Sequence, residues 1–70
     1  MSRVIEHLIE QEVIRAESQE GYAGTALVAC RAEGMMAVAT VTQTLSVDKQ
    51  DEYLRRLNAA RAKSFGRKAA

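Results

Sequence analysis

The stretch from Thr25 to Thr44 decides what this chain folds into, because its residues satisfy a strand pattern and a helix pattern at once. Thr25 to Arg31 and Met36 to Thr44 are rich in small and β-branched residues, with Glu33 and Gly34 between them. As strands they form a β-hairpin connected through Ala32 to Met35, with Gly34 taking a positive-φ turn position. Val28 and Cys30 then face the same way as Ala37, Ala39 and Val41, although the letters do not fix the register. As a helix, Leu27, Cys30, Gly34, Val38, Val41 and Leu45 share one face, and the alanines favour this reading. Against it, Thr40, Val41, Thr42 and Thr44 crowd β-branched side chains together, and a glycine within a helix costs about 1 kcal/mol relative to alanine. The balance tips toward the hairpin. The expected fold class is α+β, a small single domain running helix, β-hairpin, helix over residues 1–70; the alternative is all-α, with three helices.

The flanking segments are less ambiguous. Residues 2–19 read as an amphipathic helix capped by Ser2, with Ile5, Leu8, Ile9, Val13 and Ala16 at helical spacing and Arg3, Glu6, Glu10, Glu17 and Gln19 on the wetter side. Val4 and Ile14 widen its apolar surface beyond what one neighbour covers. Gly21 breaks the pattern. Residues 47–64 form the second expected helix, capped by Ser46, with Asp48, Asp51 and Glu52 near its start and Arg61 and Lys63 near its end. Residues 66–70 are expected to be a flexible basic tail.

A chain of 70 residues with one cysteine has neither a disulfide nor an evident metal site to supplement its core. Domains of this size bury only about 60% of their unfolded surface, so self-association is the readiest source of further apolar burial. A homodimer is expected. The lone Cys30 in an apolar run reads as a small buried hydrophobe in a reducing compartment, which points to the cytoplasm. No segment approaches the roughly 20 apolar residues that a membrane span requires, and the amino-terminal residues lack the pattern of a secretory signal. No membrane partner is expected.

Charge is distributed unevenly along a chain whose net charge is only +1. Residues 1–24 carry five glutamates against two arginines, whereas residues 46–70 carry seven bases against three acids. From Tyr53 onward there are six positive side chains and no negative one. Such a field attracts nucleic acid, an acidic protein surface, or the acidic first helix of the same chain. Asp51 and Glu52 stand four positions before Arg55 and Arg56 and locally balance them, which leaves Arg61, Lys63, Arg67 and Lys68 as the clearer surplus.

Catalytic chemistry is hard to assemble from these residues. His7 and Cys30 are the only imidazole and thiol, neither has an orienting partner at a recognisable spacing, and the glycines match no phosphate-binding fingerprint. No enzymatic activity, metal or cofactor is expected. The function that best fits is a small regulatory or adaptor protein acting by protein–protein contact. Its binding residues would be Val4, Ile5, Leu8, Ile9 and Ile14 of the first helix, with Tyr22 and Tyr53 as aromatic anchors. The alternative is a regulator that binds DNA or RNA through Arg55, Arg56, Arg61, Lys63, Arg67 and Lys68 on phosphates, with Asn58 reading a base edge.

Overall fold

The computed structural model describes the backbone of residues 2–69 and the side chains of residues 3–65. Three helices follow one another: α1 (Ser2–Ser18), α2 (Tyr22–Val41) and α3 (Val47–Ala69). Contacts between side chains give an up-down-up bundle. Lys49 reaches Glu6 and Arg56 reaches Glu17, so α1 and α3 run parallel, while Arg31 meets Glu12 and Thr25 meets Ser64, so α2 runs against both.

The expected hairpin is therefore overturned. Residues 22–41 are one continuous helix, and there is no strand among the described residues. The fold is the all-α alternative. The reason lies in what the threonines do. Thr42 is the C-cap of α2, and its hydroxyl donates to the carbonyl groups of Val38 at 2.9 Å and Ala39 at 3.2 Å. The Thr44 hydroxyl donates to Ala39 at 3.1 Å, and its amide donates to the same carbonyl at 2.8 Å. The Gln43 amide donates to Thr40 at 3.1 Å, with Gln43 itself at φ 61°. This is a Schellman closure with glutamine in the left-handed position that glycine usually fills. The run that resembled a strand is the end of a helix.

Gly21, expected to end the first helix, is the N-cap of α2 with extended backbone (φ −100°, ψ 148°). Ser46 caps α3 as its chemistry suggests, its hydroxyl accepting the Lys49 amide at 3.2 Å.

The core is built from one stripe of each helix: Ile9, Val13 and Ala16 of α1; Val28, Ala29, Ala32, Met36 and Ala39 of α2; and Tyr53 and Leu57 of α3, closed at one end by Leu45. The share of α2 is mostly alanine, which lets the neighbouring helices approach closely. One polar pair is enclosed with it. Thr25 is fully buried and Ser64 nearly so, their hydroxyls 2.7 Å apart. The Thr25 hydroxyl proton is directed at the Gly21 carbonyl, 3.0 Å away, so Ser64 is the donor of the pair. Among the described residues no helix is long and apolar enough to cross a membrane.

Candidate functional site

The expected protein-binding residues divide sharply by burial. Ile9 and Tyr53 are completely buried and belong to the core, and Ile5 is half-buried against it. Val4, Leu8 and Ile14 are exposed along α1. Tyr22 sits at the start of α2, its ring edge-on to Phe65 of α3 with centroids 5.7 Å apart.

Tyr53 anchors the interior. Its hydroxyl donates to Glu10 Oε1 at 3.3 Å, and Lys49 Nζ lies 5.7 Å from its ring centre. Burial, reinforced by the charges of Glu10 and Glu6, pushes its phenol up to about 12.

Three of the expected residues converge on a groove. Ile5, Leu8 and Ile9 form one wall of an open, almost wholly apolar cleft of about 510 Å³, and Met35, Val38 and Ala39 of α2 form the other, with Gly34 at its edge. The outer face of α2 continues from there. Leu27, Val38 and Val41 are 67%, 66% and 82% exposed, values far above those of ordinary core aliphatics. Cys30, expected to be buried, is exposed on this same face. The α2 contribution was missed because a hairpin reading scatters these residues over two strands. The signal was present in the helical periodicity that places Leu27, Cys30, Gly34, Val38 and Val41 together.

The expected nucleic-acid residues fare differently. Arg56 donates to both carboxylate oxygens of Glu17, at 3.0 and 2.7 Å. Arg61 does the same to Glu33, at 3.1 and 2.6 Å, and also reaches Asn58 at 3.2 Å. These hydrogen bonds hold both glutamates below the usual carboxylate range, against the opposing effect of partial burial. Arg61 is thus committed to α2, and Arg56 is matched by α1 rather than by its neighbours in α3. Arg55 is exposed and donates to the Asp51 carbonyl at 3.4 Å, and Lys63 is exposed beside Arg56. The side chains of Arg67 and Lys68 lie outside those described, while the backbone of residues 66–69, expected to be a flexible tail, continues α3.

The acids of α1 and the bases of α3 therefore meet within one chain. Lys49 bridges Glu6 and Glu52 at 3.7 Å each. Arg31 approaches Glu12 Oε2 at 4.0 Å, too long for a hydrogen bond, and that buried oxygen has no donor among the described residues. No group of three or more His, Cys, Asp and Glu side chains converges on a metal-sized site among the described residues. Comparison of the chain with family models, with curated proteins and with solved structures found no match.

Proposed function

We propose that this protein is a small, non-enzymatic regulatory or adaptor protein that acts by protein–protein contact as a homodimer. One observation carries the reading: an apolar groove opens between Leu8 of α1 and Val38 of α2, both exposed, and Val4 and Val41 are exposed about a turn further along the same two helices. A water-facing aliphatic surface of this kind marks an interaction face. The exposed thiol of Cys30 suits the reducing conditions of a cytoplasm, which is the proposed location. The test is light scattering on the purified chain and on Leu8→Asp. A dimer mass that falls toward the monomer in the variant, with helical content retained, is expected. A monomer at all concentrations sinks the homodimer.

A second reading, nucleic-acid binding, draws on a different surface. Arg55, Asn58 and Lys63 are exposed on α3, and no acidic residue follows Glu52 in the sequence. The measurement is binding to duplex DNA, single-stranded DNA and RNA over a salt series. Binding through Arg55 and Lys63 predicts that changing both to alanine lowers the slope of log K against log salt by about 2, at roughly 0.9 per duplex phosphate. Absence of binding at low salt removes this reading and leaves the first untouched.

A further inference from the structure

The groove between α1 and α2 differs at its two ends. Arg31 of α2 meets Glu12 of α1, which sets the register of the two antiparallel helices. One turn along from that pair, Leu8 comes level with Met35, and the apolar walls begin there. They run on to Thr42 and Thr44, and no charged side chain lines the groove between. The two threonines donate their hydroxyl protons to the end of α2, Thr42 to the Val38 carbonyl at 2.9 Å and Thr44 to that of Ala39 at 3.1 Å. The far end of the groove therefore holds no donor aimed at a ligand.

The near end is cationic. Arg15 and Arg31 both approach the Glu12 carboxylate, at 3.3 and 4.0 Å, and their side chains are 55% and 57% exposed, whereas that of Glu12 is only 15% exposed. Two guanidinium groups against one carboxylate leave a surplus positive charge at the mouth of an apolar channel. Arg31 is too far from Glu12 for a hydrogen bond, so its planar fork of donors is free to take a second carboxylate.

We infer that this groove binds a free fatty acid of medium chain length, its tail lying between Leu8 and Val38 and its carboxylate resting on Arg15 and Arg31. Charge complementarity gives the occupant and its direction: one anionic head at the arginines, one hydrocarbon tail toward the uncharged threonines. Length agrees. The 11 residues from Arg31 to Thr42 rise about 16 Å along the axis, the span of an extended chain of about twelve carbons. The cleft of about 510 Å³ also falls within the roughly 300–1,000 Å³ of sites that hold small molecules. This binding goes beyond the protein-contact reading and does not require a dimer.

Titration calorimetry with dodecanoate, below the concentration at which it forms micelles and on protein dilute enough to be monomeric by light scattering, tests it. One molecule per chain is expected. Dodecyltrimethylammonium, with the same tail and the opposite charge, should bind about tenfold more weakly. Octanoate, four methylenes shorter, should bind at least about tenfold more weakly than dodecanoate. Arg15→Gln and Arg31→Gln should each weaken dodecanoate roughly twofold to fivefold and leave the cationic amphiphile no weaker. Leu8→Ser and Val38→Ser, both at exposed positions, should weaken the two amphiphiles alike. A dissociation constant above about 1 mM for dodecanoate overturns the site. Equal binding of the two amphiphiles, or indifference to both arginine variants, overturns the carboxylate end, and indifference to Leu8→Ser and Val38→Ser overturns the groove. None of these outcomes bears on whether concentrated protein dimerises, so the homodimer stands or falls by its own measurement.

Discussion

The two faces of α2 are both apolar, yet only one of them is closed. The inner face consists of Ala29, Ala32, Met36 and Ala39, all at most 3% exposed, together with Thr25 and Val28. The outer face holds the larger aliphatics Leu27, Val38 and Val41, which stand largely in water. Burying a side chain of that size stabilises by roughly 1.5–3 kcal/mol, so this helix has placed much of its apolar surface where its own chain does not use it. The small residues face inward because α1 and α3 press close on that side. Side-chain volume therefore separates the face that builds the fold from the face that the chain itself leaves uncovered.

The largest expected effect tests that division directly. Met36→Ala removes a buried side chain from the centre of the bundle and should cost about 2–5 kcal/mol in urea unfolding. Val38→Ala, two residues further along on the outer surface, should change the unfolding of dilute, monomeric protein by no more than about 0.5 kcal/mol. Similar losses in the two variants would show that the outer face is part of the core.

A smaller effect probes the one polar element on the inner face. Thr25→Val leaves the Ser64 hydroxyl buried without its acceptor and should cost about 1–3 kcal/mol. Adding Ser64→Ala removes the stranded group, so the double variant should recover part of that loss. Strict additivity in this cycle would mean that the two hydroxyls do not act as a pair.

The contrast between the faces also shows what could be read from the letters. The outer helices were legible: α1 and α3 carry simple amphipathic stripes, and Ser46 is a side-chain cap with its acceptor oxygen in place. The middle was not, because the threonine-rich run that suggests a strand closes the end of a helix instead. Thr42 and Thr44 satisfy the last carbonyl groups of α2, and Gln43 adopts the left-handed turn that glycine signals more plainly. The site was half legible. Leu8 and Val4 stood out on α1, whereas Met35 and Val38 became visible as the opposite wall only when residues 22–41 were one helix. Ile9 and Tyr53 looked like binding residues because sequence gives their polarity and not the direction from which the third helix arrives.

Solution pH separates the interior from the charged surface. Tyr53 has its phenol raised from 10 to about 12, so its contribution is complete below pH 10 and is lost as pH climbs through 12. Glu17 and Glu33 are held below the usual 4.5, so their contributions are present above that value and fall away as the medium becomes more acidic. Urea midpoints measured from pH 3 to pH 12 should fall at both ends. Tyr53→Phe should flatten the alkaline limb alone, and a limb unchanged by it would place the cause elsewhere.

The smallest effect concerns the basic residues that dominate the end of the sequence. Arg56 and Arg61 form two-pronged bonds to Glu17 and Glu33, but all four side chains are about one-third exposed, and water and salt screen such pairs. Arg56→Gln and Arg61→Gln should each cost roughly 0.2–1 kcal/mol, less at high salt than at low. The same substitutions should leave the dimer mass unchanged, since neither arginine lies on the outer face of α2. A dissociated dimer in Arg56→Gln would show that the charged side of the bundle, and not the apolar one, holds the partner.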